Sequence, residues 1–85
     1  MNHEAPSSDD IRRVIESLIT DSTPVVRREA ALWAAPFVWG YDPRTDVSAA
    51  WTVVNYLAAA DHLSSPGEYL YGTQDFRSWM DLIRD

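Results

Sequence analysis

Apolar residues recur at helical spacing in the first quarter of the chain. They fall at positions i, i+3, i+4, i+7 and i+8, the stripe of an amphipathic helix: Ile11, Val14, Ile15, Leu18 and Ile19. Ser7 or Ser8 can cap this helix, and two acidic residues in its first turn suit the positive end of the helix dipole. We therefore expect a helix that ends near Asp21, preceded by a frayed segment, residues 1–7.

A second helical pattern follows directly. Thr23 can cap it, and Pro24 can occupy the first helical position, where a missing N–H group costs nothing. Its inner face consists of Val26, Ala30, Trp33, Ala34 and Phe37. Pro36 lies within this pattern and cannot donate to the carbonyl of Leu32, so the helix should kink or finish nearby, with Gly40 as the stop.

Two further helices are predicted in the second half. The third is capped by Thr45 or Asp46, and the fourth by Thr73; the segment between them, Leu63 to Glu68, is predicted to be a loop. Four amphipathic helices of about 10 to 17 residues with short connections indicate an all-α fold, a single small bundle that spans residues 1–85. Trp33, Trp51 and Trp79 lie on three different helical stripes, and we expect them to meet in one cluster.

Composition makes this domain acidic and aromatic. Thirteen Asp and Glu residues face seven basic residues, all arginine, which gives a net charge of -6, and 12% of the residues are aromatic. Such a charge repels nucleic acid and anionic membranes and attracts basic surfaces. The sequence has no cysteine, no apolar run long enough to cross a membrane and no signal-peptide pattern at its start, so a cytoplasmic location is expected.

The residues give no support for catalysis. The only histidines are His3, in the frayed start, and His62, at a helix end, and neither belongs to a recognisable triad or metal-ligand pair. The glycines form no phosphate-binding loop. The arginine pairs at 12–13 and 27–28 are interpreted as solvated faces paired with Asp9, Glu16 and Glu29. We expect a non-enzymatic protein without a cofactor or a metal.

Aromatic and acidic side chains near helix ends are the candidate binding residues. The aromatic ones are Trp39, Tyr41, Tyr69 and Tyr71, and the acidic ones are Asp42, Asp46, Asp61, Glu68 and Asp75. Tyrosine and tryptophan dominate binding hot spots, although such rings can equally be lids over a small core. Asp61, at the negative end of its helix, either accepts hydrogen bonds from the following loop or the last helix, or contacts a basic partner. Residues 42–85 carry seven acids against three arginines, so most of the excess charge lies there.

Several short motifs carry a resemblance. They are Arg28-Glu29-Ala30, Trp33-Ala34, Trp51, Leu57, Ala60-Asp61-His62-Leu63, Tyr69-Leu70-Tyr71-Gly72, Asp75-Phe76 and Trp79. Over residues 27–83 the chain resembles small acidic immunity-type proteins of high-GC bacteria that are encoded beside polymorphic toxins. The resemblance implies an immunity protein that binds and blocks one toxin domain, and it carries no contact residue across.

Acidity and resemblance indicate the same function. We expect a monomer that neutralises a cognate basic toxin, such as a nuclease, by stoichiometric occlusion, and that binds neither nucleic acid nor membrane. Two alternatives remain open. A phage-encoded DNA mimic would need regular rows of carboxylates, which arginines interrupt here, and a structural or adaptor subunit would use the aromatic residues for a constitutive interface.

Overall fold

The described residues form four helices and one short hairpin. The computed structural model describes residues 6–39, 44 and 48–83. In chain order the elements are α1 (Ser8–Thr20), α2 (Pro24–Val38), α3 (Ala49–Leu57), β1 (Leu63–Ser65), β2 (Glu68–Tyr69) and α4 (Thr73–Leu82). The fold is thus mostly helical with a two-stranded sheet. Within the described ranges, no helix has the length and apolarity needed to cross a membrane.

Side-chain hydroxyl groups cap the first three helices. The amides of Asp10 and Val26 donate to Ser7 Oγ (3.1 Å) and Thr23 Oγ1 (3.4 Å), which confirms the predicted starts of α1 and α2. The start predicted for α3 is wrong. Its cap is Ser48, whose Oγ accepts from the amide of Trp51, three residues on, so the helix begins at Ala49. Thr45 and Asp46 lie outside the described residues.

The last helix starts with a cap of a different kind. Gly72 is the N-cap, and its N–H donates to the Asp75 carboxylate (N to Oδ2, 2.8 Å). Thr73, predicted as the cap, is instead the first helical residue. The carboxylate reaches back from the third helical position and binds an amide that the helix leaves unpaired, so a side-chain hydroxyl is not needed at the cap.

Pro36 lies inside α2 without ending it. The helix continues to Val38, and the Trp39 amide still donates to the carbonyl of Ala35 (3.2 Å). Because Pro36 stands in the last turn, it removes one hydrogen bond near the end of the helix, where few later bonds depend on it.

Replacing Pro36 by alanine should therefore stabilise the protein. The restored hydrogen bond to the Leu32 carbonyl raises the free energy of unfolding, and the greater freedom of the unfolded chain lowers it. The net increase should be about 1 to 2 kcal/mol. Pro36 is exposed, so the substitution leaves the core intact. Urea denaturation of the two proteins measures the change, and an unchanged or lower free energy of unfolding would contradict it.

The predicted loop at 63–68 contains a hairpin. Strands β1 and β2 pair antiparallel, with Leu63 opposite Tyr69 and Ser65 opposite Glu68. Gly67 turns the chain with φ 83°, in the left-handed region that glycine tolerates best. The strands have three and two residues, too few to show the alternation of apolar and polar residues that predicts a strand. Only the turn residues between them could be predicted from the sequence. The expectation of a mostly helical fold is confirmed for the described residues, and the hairpin adds a small sheet to it.

One core joins all four helices. It contains Ile11, Ile15 and Leu18 of α1, Ala30 and Ala34 of α2, Val53, Val54 and Leu57 of α3, Phe76 and Trp79 of α4, and Ala60 and Ile83 at helix ends. Helix α1 contacts each of the other three helices. The exposed faces of α2 and α4 are therefore held on a shared, packed interior.

The tryptophan cluster that the stripes suggested is found only in part, because Trp79 belongs to the core and Trp33 packs against it, but their rings do not meet. Trp79 is stacked on Tyr56 (5.4 Å between ring centroids) and meets Tyr71 (5.0 Å) edge-on. Trp33 instead contacts Phe37 (5.3 Å). Among the ring contacts of the described residues, none joins two of these tryptophans. Helical stripes give the face on which a ring lies, but not which ring of another helix it meets.

Candidate functional site

Three of the predicted binding residues stabilise the fold. The ring of Tyr71 is half-buried and packs edge-on against Tyr56 and Trp79. Tyr69 is also half-buried and lies beneath the guanidinium of Arg27, and the Asp75 carboxylate binds the Gly72 amide. Both tyrosines thus cover part of the core, the second of the two roles that their loop positions suggested.

The other predicted residues are scattered. Trp39 is 83% exposed at the end of α2, and Glu68 is exposed on the hairpin, where its carboxylate accepts from Ser65 Oγ (3.2 Å). Asp61 is half-buried, but no hydrogen bond connects its carboxylate to the described chain, so it caps neither the loop nor α4. Tyr41, Asp42 and Asp46 lie outside the described residues. Of the described members, Trp39 lies at the end of α2 and Glu68 on the hairpin, and no contact joins their side chains.

Arg27 is the one charged residue that is buried in the part of the chain that the structure describes. Only 5% of it is exposed, and its Nη1 donates to the carbonyls of Tyr71 (2.7 Å) and Ala60 (3.2 Å). Its Nε donates to the carbonyl of Ser22 (2.9 Å), and the guanidinium lies 3.9 Å from the ring centroid of Tyr69. The side chain therefore ties the start of α2 to the end of α3 and to the segment before α4. Its predicted place on a solvated face is wrong.

The remaining arginines differ in their ion pairing. Arg12 and Arg13 lie 3.3 Å and 3.9 Å from the carboxylates of Asp9 and Asp10, one turn earlier on α1. Arg28 and Arg77 are exposed, and neither forms an ion pair or hydrogen bond through its side chain within the described chain. The pairing predicted with Asp9 is thus confirmed, while the exposed Glu16 and Glu29 form no salt bridge among these residues. Among the described residues, the guanidinium groups of Arg28 and Arg77 are thus available to a partner.

The guanidinium of Arg77 lies on a polar face of α4. Gln74, Arg77 and Ser78 are exposed at positions i, i+3 and i+4, so they share one side of the helix. The opposite side carries Phe76 and Trp79, both in the core. We call Gln74, Arg77 and Ser78 the α4 face. It presents amide, guanidinium and hydroxyl groups on a helix that the core holds in place.

The guanidinium of Arg28 lies beside an apolar face of α2. Val25, Leu32 and Trp39 are 66%, 63% and 83% exposed and recur every seven residues. Arg28 and Glu29 flank this row, and both are exposed. We call Val25, Leu32 and Trp39 the α2 stripe. Large apolar side chains in a row are unusual on a monomer surface and are typical of interaction sites.

Two depressions lie between α1 and α2. One, of about 220 Å³, has mostly apolar walls formed by Val14, Ser17, Val26, Glu29, Ala30 and Trp33, and the other, of about 430 Å³, is lined by Arg13, Glu16, Ser17, Thr20, Asp21 and Val26. Both are open to solvent, whereas a site for a small molecule encloses most of the ligand's surface. In the described part of the chain, no group of three His, Cys, Asp or Glu side chains is placed to hold a metal ion. The two helix faces are therefore the stronger candidates for function.

Comparison with known families bears on the functional expectations drawn from the sequence. The sequence matches the family model described as YxzC DNA-binding protein over residues 3–82, nearly its whole length. The chain belongs to the YxzC family. Neither the curated proteins nor the solved structures gave a significant match.

Membership of the YxzC family overturns the functional expectations drawn from the sequence. The resemblance to immunity-type proteins is wrong, and with it the expected toxin partner and the two alternatives of a DNA mimic and an adaptor subunit. The exclusion of nucleic acid, which rested on the net charge of -6, is contradicted by the family description as well. Net charge sums the whole surface, whereas a contact uses one face, and part of the resemblance rested on core positions such as Trp79, which stabilise the fold and carry no function.

Proposed function

We propose that this YxzC family member binds duplex DNA with the α4 face and catalyses no reaction on it. The observation that carries the proposal is the position of Arg77, an exposed guanidinium without an ion pair among the described residues, one turn from Gln74. The family description supplies the class of ligand. DNA binding would take place in the cytoplasm, and the four helices would act as a bundle that holds α4 rigidly.

The chemistry of the α4 face suits the major groove. A groove about 12 Å wide accepts an α-helix, and side chains on its outer face then reach the edges of the bases. Arginine can donate two hydrogen bonds to guanine, glutamine can pair in the same bidentate way with adenine, and serine can contact either base. Arg77 and Gln74 would supply these two contacts from adjacent turns, with Ser78 beside them.

The rest of the surface limits how this binding can work. Residues 42–85 contain seven acids and three arginines, so the charge around α4 repels phosphate at long range. The Asp75 carboxylate is directed to the Gly72 amide, from which it accepts a hydrogen bond, but the exposed Asp81 lies one turn after Arg77 on the same side of α4. Affinity must then come from short-range contacts, and few counterions are released. We expect a shallow dependence on salt, with a slope of about -1 to -2 instead of the steep slopes of basic DNA-binding domains.

Binding to DNA can be tested without a known target sequence. Duplexes from a randomised library are selected on the immobilised protein at low salt, and the enriched duplex is labelled for fluorescence anisotropy. Arg77→Gln should weaken binding to that duplex by about tenfold to a hundredfold, because one bidentate base contact contributes roughly 1 to 3 kcal/mol. Gln74→Ala should weaken it through a different base position of the selected sequence.

Arg13→Gln is the matched control. Arg13 is also an exposed helical arginine, with its side chain 78% exposed, but it lies on α1. Its variant should bind within about twofold of the wild type, since it touches no base. Equal losses for Arg13→Gln and Arg77→Gln would show that only general charge matters and would place the site elsewhere. A library from which no duplex is enriched would refute DNA binding itself.

A further inference from the structure

The α2 stripe lies on a different helix from the α4 face and takes no part in the proposed DNA contact. Its three side chains stand in one row along α2, and positions 25 to 39 span about 21 Å at 1.5 Å per residue. We propose that the α2 stripe is a dimer interface, occupied by α2 of a second copy of this chain. The two helices run parallel and are related by a two-fold axis.

Seven-residue spacing favours a helix as the occupant. Residues that repeat at this interval remain on one side of a helix with a drift of only about 20° per repeat, and a parallel partner presents the same row at the same heights. Val25, Leu32 and Trp39 would then each meet their own counterpart. Three apolar layers follow one another along the seam, with the exposed Pro36 between the last two.

The flanking charges fit this arrangement. At about 100° per residue, Arg28 lies roughly 50° to one side of the centre of the stripe and Glu29 roughly 50° to the other side. In a parallel two-fold pair, the left edge of one helix faces the right edge of its partner. Arg28 of each copy therefore faces Glu29 of the other, and two ion pairs close the seam. Neither side chain has an ion pair within the described part of its own chain.

An antiparallel pair lacks this match. Its two-fold axis brings equal edges together, so Arg28 lies on the same side as Arg28 of the second copy, and Glu29 on the same side as Glu29. Like charges across a helical seam disfavour pairing. The edge charges thus select one orientation. The seam is short, so the dimer belongs to the class of small, reversible interfaces.

Sedimentation velocity over a range of protein concentrations tests the dimer directly. The wild type should shift from monomer to dimer as its concentration rises, while Leu32→Glu should remain monomeric because it places two carboxylates in the seam. Leu70→Glu is the matched control, since Leu70 is also an exposed leucine (48%) but lies between β2 and α4. A wild type that stays monomeric throughout, or a Leu32→Glu protein that still dimerises, would overturn the proposal.

Exchange of the two charges tests the pairing itself. Arg28→Glu places like charges opposite each other twice, and so does Glu29→Arg, so each should lower the association constant by roughly five- to tenfold. The double variant restores opposite charges and should return close to the wild-type value. Its failure to recover would show that Arg28 and Glu29 do not face each other.

Orientation can be read from single cysteines, because the chain has none of its own. A disulfide needs the two Cα atoms within about 7 Å of each other. A parallel pair satisfies this at every layer, so Val25→Cys and Leu32→Cys should each form a disulfide-linked dimer under mild oxidation. An antiparallel pair could link only the position nearest its axis. Cross-linking at one position but not the other would therefore rule out the parallel seam.

Discussion

Replacing Arg27 by leucine should lower the free energy of unfolding by about 3 to 5 kcal/mol, a large part of the stability of a small domain. The guanidinium donates to three backbone carbonyls, those of Ser22, Ala60 and Tyr71. Leucine is apolar but does not remove these carbonyls, which then lose a donor at one buried and two partly buried positions. The ring of Tyr69 would also lose its stacked cation. Urea denaturation followed by circular dichroism gives the difference.

Two further variants complete the comparison: one separates the geometry of Arg27 from its charge, and the other is a control at an exposed arginine. Arg27→Lys keeps the charge but replaces the planar fork by a single ammonium, so it should lose about half as much stability. Arg13→Leu removes an exposed arginine and should change the free energy of unfolding by less than about 0.5 kcal/mol. Equal stabilities for Arg27→Leu and Arg13→Leu would show that the buried hydrogen bonds contribute nothing.

Helix starts were the part of the fold most open to prediction, because they depend on neighbours in sequence. Ser7 and Thr23 cap helices through amides three residues later, and each pattern is complete within one turn. The start of α3 was misplaced because Thr45, Asp46 and Ser48 are all good caps. Local chemistry cannot choose among several caps in a row. The packing of the helix that follows decides among them.

The place of Arg27 depends on contacts far along the chain. Its carbonyl partners Ala60 and Tyr71 are 33 and 44 residues away, and no residue near position 27 indicates which carbonyls it will bind. One signal was nevertheless present. Positions 30, 31 and 34 are all alanine and all buried, and they lie three, four and seven residues after Arg27 on the same side of α2. A helix side lined with alanine leaves room beside it for a long side chain such as that of Arg27.

The predicted binding residues were chosen by type, and type alone does not give exposure. Tyr69 and Tyr71 were selected because aromatic residues dominate interfaces, yet the fold uses both rings to cover its core. Gln74 and Arg77 are ordinary exposed helix residues in the sequence. Their interest arises only once Phe76 and Trp79 are seen to fix the opposite side of α4. A candidate site of this kind needs the fold before its residues can be recognised.

Three of the four tryptophans, Trp33, Trp39 and Trp79, should differ widely in their effect on stability. Trp79 is 4% exposed and lies against Tyr56, Tyr71 and Phe76, so Trp79→Ala removes the centre of an aromatic cluster. The loss should be about 3 to 5 kcal/mol, which leaves much of the protein unfolded at room temperature. Trp39→Ala, at the exposed end of the α2 stripe, should change the stability of the monomer by less than about 0.5 kcal/mol.

Thermal unfolding of dilute protein, followed by circular dichroism, compares these variants in the monomeric state. Half-buried Trp33, which contacts Phe37, should fall between the other two. That order, with Trp79 largest and Trp39 smallest, follows from how deeply each ring is buried. A Trp79→Ala protein that melts with the wild type would show that the aromatic cluster on α4 does not hold the fold together. The proposed DNA-binding face would then lose its rigid support, since Gln74, Arg77 and Ser78 are positioned by the burial of the opposite side of the same helix.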